Sequence, residues 1–186
     1  MAKESVKDRI ISAASELFYM DGYNQTGINK ILEVAHVSKD SMYRHFRSKE
    51  AIAVAYIEKR HWLFMQALEE FVVNEKDGND KVLAVFDCLK YYIEKFEFRG
   101  CGFQNIITDL PKGQDSIAEA VRIHINDFHL YIYNELKKNA IGDKKSKELS
   151  AEIFVLLEGA LILSQIQKSA TPITVGKRAC RKILNV

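Results

Sequence analysis

Apolar residues return every three or four positions along most of this chain, and polar or glycine-containing breaks separate the runs. Val6, Ile10, Ala13, Ala14, Leu17 and Phe18 form one helical stripe after Ser5, a residue type that caps helix starts. Asp21-Gly22 closes that helix, because glycine readily takes the left-handed conformation at a C-terminus. A second short helix is predicted from Thr26, its expected cap, burying Ile28, Ile31, Leu32 and Ala35. Ser38 is expected to cap a third, with Val37, Met42 and Phe46 turned to the same core as Phe18 and Leu32. Ser48 and Ala51 open a long fourth helix reaching about Val73.

The polar stretch 74–80 reads as a loop, followed by a fifth helix over 81–98. Arg99-Gly100-Cys101-Gly102 breaks the pattern, and Pro111 stops a short sixth helix over 103–109. A seventh helix is predicted over 116–139, a basic turn at 142–146, and an eighth helix over 147–168. The ninth begins after Pro172 and runs towards Leu184. With two prolines and no period-two alternation, the expectation is an all-α fold of about nine helices.

Composition fits a soluble globular chain: 47% hydrophobic and 28% charged residues. The net charge of +2 is too small to draw nucleic acid by itself, so its distribution matters. From Ser38 to Lys49 the cations Lys39, Arg44, Arg47 and Lys49 face one acid, Asp40, a local charge of +3. Residues 51–186 carry 19 Lys/Arg against 18 Asp/Glu. Positive charge is concentrated on the third helix and just after it.

That helix has the chemistry of a reader of the DNA major groove. With Met42 and Phe46 inward, Lys39, Asp40, Tyr43 and Arg44 project outward, with Ser38, Ser41 and His45 on the same short element. Arginine can donate two hydrogen bonds to guanine, a contact worth roughly 1–3 kcal/mol of discrimination. Tyr43 and Lys49 are better placed for phosphates, which fix position without reading sequence. Thr26 and Asn29 are expected to meet the DNA backbone at the start of the second helix. The expected division is a helix-turn-helix domain at 1–47 and, at 48–186, a ligand-binding and dimerisation domain, since the long apolar-periodic helices there are suited to a pocket and a dimer interface.

From Val6 to about Ile57 the chain resembles the DNA-binding domain of the TetR family, the tetracycline-repressor-like regulators. The resemblance rests on IISAASELFYMDGYNQT, VSKDSMYRHF and RSKEAI. It implies an all-helical homodimer on a near-palindromic operator, usually a repressor released by a small molecule, with the fourth helix linking effector site to reading heads. Two positions depart from the family pattern. His36 stands where the turn usually has Gly, and histidine is among the residues enriched in the left-handed region. Asp40 stands where many members have Gly; it is either a specificity element, accepting from a cytosine amino group, or a plain outward-facing acid.

The family resemblance is weaker in the C-terminal half. The eighth helix is apolar on more than one face, which calls for a partner copy; Leu156, Gly159, Ala160 and Leu163 offer small and aliphatic contacts. An effector pocket between helices four and seven would draw on Trp62, Met65, Phe86, Tyr92, Cys101, Phe103, Asn105, His124 and Phe128, a set suited to a partly aromatic or lipophilic molecule. Gly100-Cys101-Gly102 resembles a Gly-Cys element in a subset of the family, so thiol sensing of oxidants or electrophiles through Cys101 is the alternative.

Other functions have little support. No phosphate loop, HExxH string or recognisable Ser-His-Asp context occurs, so no catalytic residue, metal site or cofactor is expected. His124 and His129 would lie about 140° apart around a helix, a poor metal pair. A helical adaptor docking protein instead of DNA is a further alternative. The polar start, the three unpatterned cysteines and the absence of any apolar run of membrane-spanning length lead to the expectation of a cytoplasmic protein with thiols.

Overall fold

The computed structural model describes residues 4–186. Among them lie nine helices and no strand: α1 (Val6–Met20), α2 (Ile28–Ala35), α3 (Lys39–Tyr43), α4 (Lys49–Val72), α5 (Asn79–Lys95), α6 (Gly102–Thr108), α7 (Asp115–Lys137), α8 (Asp143–Gln167) and α9 (Thr171–Leu184). All nine expected helices are present among the described residues, several with different ends. Two compact units divide the chain, one running to Leu63 and including Gly102–Ile123, the other comprising Phe64–Cys101 and His124–Val186. The partition expected from the sequence, between residues 47 and 48, falls elsewhere, because α4 and α7 each contribute to both units.

In the first unit, α1 packs against α2, α3 and α6 around Ile10, Ala14, Phe18, Ile31, Leu32, Met42 and Phe46. The Ser5 hydroxyl accepts the Asp8 amide at 3.1 Å and donates to the Asp8 carboxylate at 2.6 Å. Ser38 and Ser48 likewise accept the amides of Ser41 and Ala51. Thr26 does not cap α2, contrary to the sequence expectation. Gly27 is the cap residue, without a side-chain bond, and the buried Thr26 hydroxyl donates inward to the carbonyls of Gly22 (2.7 Å) and Leu17 (3.4 Å). Helix α1 has carbonyls to satisfy at its end, and Thr26 is close enough to do so.

In the second unit, α5, α8 and α9 pack together. Gly176 lets α9 approach: a Cβ there would stand 3.1 Å from the Phe86 ring and 3.4 Å from the Ala160 Cβ. The α4–α5 connection is pinned by Glu135, a buried carboxylate that accepts the Gly78 amide at 3.0 Å and Lys138 Nζ at 2.7 Å. Helix α5 stops short of the expected Phe98 because Glu97 and Phe98 both take positive φ, 51° and 56°, which an α-helix cannot continue through.

Two further expectations are corrected in α8. It starts at Asp143 rather than 147, so 143–146 is its first turn, favoured by an acid near the helix start and by the Lys147 ammonium 2.8 Å from Asp143. Lys147 foremost holds the Asp143 carboxyl down at about 2. The helix also contains an 18-residue window long and apolar enough to cross a membrane, where the sequence reading found no such run. Its composition follows from serving two faces. Ile153, Leu157, Ala160 and Leu161 are buried, while Val155 (73% exposed), Ile162, Leu163 and Ile166 (69%) are not.

Candidate nucleic-acid interface

Helix α3 is only five residues long, and what surrounds it fixes its direction. Met42 is fully buried, and the Phe46 amide donates to the Met42 carbonyl at 2.8 Å, so both apolar anchors point inward. Ser38, Lys39, Asp40, Tyr43, Arg44 and His45 are exposed, with Ser41 half-buried. The turn that delivers this helix passes through His36 at φ 52°, ψ 48°, a left-handed residue as expected for the position. Arg9 secures that turn: its guanidinium donates to the carbonyls of Ala35 and His36, each at 3.3 Å. Spacing alone does not single out Arg9, since its role depends on α1 lying across the end of α2.

Three other predicted DNA contacts have different settings. Asn29 is exposed on the first turn of α2. Thr26 is buried with its hydroxyl engaged. Lys49 places its ammonium 3.0 Å from the Tyr23 carbonyl oxygen and 4.1 Å from the centre of the Tyr23 ring. Burial pulls the Lys49 pKa down, and nearby Asp109 opposes that shift. Burial, with the Glu50 charge, pushes the Tyr23 hydroxyl up to about 12. The Lys49 ammonium is therefore bonded within the chain through one of its three N–H groups.

Comparison with known proteins matches residues 10–56 to the bacterial regulatory proteins of the tetR family, and residues 80–178 to the LmrA/YxaF-like transcriptional regulator C-terminal domain. The chain belongs to the TetR family. It is 25% identical over 171 residues to the HTH-type transcriptional regulator LmrA of Bacillus subtilis, covering 90% of each chain. Its fold is similar to SCO4454, a TetR-family regulator from Streptomyces coelicolor, with a TM-score of 0.85 at 22% identity over 97% of this chain and 94% of that one. It is similar also to the reduced form of Escherichia coli NemR, with a TM-score of 0.81 at 20% identity over 96% and 97%. Family membership makes this TetR protein a helix-turn-helix transcriptional regulator.

The candidate effector residues fall in both compact units. Trp62, Phe103 and Asn105 belong to the first; Met65, Phe86, Tyr92, Cys101, His124 and Phe128 belong to the second. Trp62 is 57% exposed, while Phe86, Phe103, His124 and Phe128 are buried. Within the second unit, Phe64 meets Phe128 and His124 edge-on at 5.0 and 5.2 Å, and Phe128 meets Phe154 at 5.5 Å. Gly100 takes φ +90°, a backbone conformation that favours glycine, and a Cβ at Gly100 or Gly102 would meet the movable ends of the Gln165 and Arg60 side chains. A groove of about 390 Å³ outside the predicted set lies along α7 and α8, lined by Asn126, His129, Leu130, Tyr133, Lys147 and Ser150. His129 Nε2 and Ser150 Oγ are 3.1 Å apart there.

Of the predicted dimer residues, Ala160 is buried against α9 of its own chain. Leu163 is 46% exposed, and Leu156 and Gly159 are half-buried. Val155, Ile162 and Ile166 extend this apolar face, and a Cβ at Gly159 would meet nothing within 4 Å.

Proposed function

We propose that this protein is a repressor that binds a near-palindromic operator as a homodimer and is released from it by a small-molecule effector. The observation that carries this reading is the exposure of Lys39, Asp40, Tyr43, Arg44 and His45 on α3 and the turn just after it, while the neighbouring Met42 and Phe46 are buried. Lys39 and Arg44 supply base-edge or phosphate donors, Tyr43 a phosphate donor, and Ser41, Asp40 and Asn29 flanking polar groups. The Ser38 hydroxyl accepts the Ser41 amide and keeps its own O–H to donate to the DNA. Thr26 and Lys49 act from beneath, holding the α1–α2 turn.

Dimerisation uses the outward face of α8, where Gly159 lies among Val155, Ile162, Leu163 and Ile166. A two-fold pair would present two reading helices one turn of DNA apart, about 34–36 Å. The aromatic group of Phe64, His124, Phe128 and Phe154 supports a partly aromatic or lipophilic effector. Such a ligand shifts the operator-binding population only by its differential affinity for the two states. Ala51–Leu63 of α4 carries the change toward the reading head.

The test is a mobility shift on the DNA upstream of the protein's own gene. Wild-type protein retards it at moderate salt, and Arg44→Ala loses specific retardation while keeping its helical content. Equal retardation by both proteins, or none by the wild type, contradicts the reading.

A further inference from the structure

The α1–α2 turn, Asp21 to Gln25, lies just ahead of the helix-turn-helix, and residues far along the chain hold it. Asp109, directly after α6, accepts the Asn24 backbone amide at 2.8 Å and the Asn24 side-chain amide at 3.0 Å through its carboxylate. The Asp109 carbonyl takes a further bond from Asn24 Nδ2 at 2.5 Å. One position earlier, the Tyr23 hydroxyl donates to the Gln114 side-chain oxygen at 2.5 Å. Beside these, the Ser116 hydroxyl donates to Glu50 at the start of α4. The carboxylate sits close to the turn's backbone: Gly22 has φ +93°, and a Cβ there would stand 3.2 Å from Asp109 Oδ2. All these residues lie in the first compact unit, which takes in α6 and the beginning of α7.

From this arrangement the geometry points to Asp109, with Gln114, as positioning residues for DNA reading: a polar latch through which the α6–α7 segment sets the placement of the α1–α2 turn, and so of α2 and α3. It rests on the DNA-reading function proposed above. The Asp109 carboxylate accepts both donors of Asn24, and bonds to a charged acceptor are among the stronger hydrogen bonds. Pro111 and Gly113 shape the segment between the two latch residues; proline holds one φ near its fixed value and Gly113 takes φ +84°. The segment leads directly into α7, which begins in this unit and ends in the other. The latch thus joins the reading head through hydrogen bonds to the segment that opens α7, in addition to its covalent connection through α4.

The experiment uses the full-length protein and a duplex enriched by the wild type from random DNA, with companions whose two half-sites are moved apart by one or two base pairs. Asp109→Ala is expected to bind the enriched duplex about tenfold more weakly and to discriminate less among the spacings. Asp109→Asn, which keeps an acceptor for the Asn24 amide, recovers part of both. The double variant Asn24→Ala/Asp109→Ala falls no further than Asp109→Ala, because the two changes break one interaction. Asn24 is exposed, so Asn24→Ala carries the test even where Asp109→Ala folds poorly; it is expected to lose about threefold in affinity while its melting midpoint falls by only about 2–4 °C. Wild-type affinity and spacing preference in Asp109→Ala and Asn24→Ala overturn the latch. A wild-type protein that enriches no sequence overturns the DNA-reading function itself, a separate result.

Discussion

Lys49 Nζ lies 3.0 Å from the Tyr23 carbonyl oxygen, and its charge rests over the Tyr23 ring. The cation nearest the reading helix on α4 therefore braces the fold. Each phosphate-neutralising cation contributes about one to the slope of log affinity against log salt. Replacing Lys49 by Met is expected to leave that slope unchanged and to cost about 1 kcal/mol of stability. Lys39→Ala and Arg44→Ala should each flatten the slope by about one. Binding titrations over a series of salt concentrations separate the two behaviours, and a flattened slope for Lys49→Met would place its charge on the DNA.

His36 occupies the left-handed region at φ 52°, where glycine is free of the cost that a Cβ imposes. His36→Gly is expected to leave stability unchanged or raise it by up to about 1 kcal/mol, and the β-branched His36→Val to lower it by more. Urea unfolding of the three proteins checks the order. A loss of stability in His36→Gly would show that the imidazole contributes more than the backbone strain costs.

The outward face of α8 has room for a neighbour at Gly159, since a Cβ there meets nothing within 4 Å. Gly159→Leu is expected to fold, because leucine favours helix by roughly 1 kcal/mol over glycine, yet to sediment as a monomer where the wild type dimerises. Retained dimerisation would move the interface away from Val155, Ile162 and Ile166.

Burial pushes the thiols of Cys88 and Cys180 up to about 12, with Asp87 adding to the effect at Cys88. The folded chain keeps both protons at a pH where an unfolded thiol, with a pKa near about 8.5, gives its proton up. The unfolded state then binds fewer protons, so stability falls as pH rises from about 8.5 towards 12. Maleimide at pH 8 should label no more than one of the three cysteines in the native protein and all of them in urea. The urea midpoint should drop between pH 8 and pH 10.5, and less steeply in Cys88→Ala/Cys180→Ala. A pH-independent midpoint would contradict the burial-driven shifts.

The parts of the molecule governed by local spacing were legible in the sequence. The caps at Ser5, Ser38 and Ser48 depend on a hydroxyl three residues before an amide, and Met42 with Phe46 on helical periodicity. Roles set by distant packing were not legible. Thr26 and Lys49 carry the residue types of DNA contacts, and the turn at Asp21–Asn24 folds back to accept the Thr26 hydroxyl and one N–H of the Lys49 ammonium. Arg9, Asp109 and Gln114 gave no signal, because their partners lie 26, 85 and 91 positions away. Ala160, expected at the dimer interface as a small residue on a helix apolar on more than one face, is buried beside Gly176 of its own chain.

The central claim, that the Lys39–His45 row reads DNA twice from paired subunits, is tested most directly by hydroxyl-radical footprinting on the enriched duplex. The expected result is two protected patches on one face of the helix, centred about 10–10.5 base pairs or a multiple apart, both lost with Arg44→Ala. A single patch, or protection that survives Arg44→Ala unchanged, would contradict it.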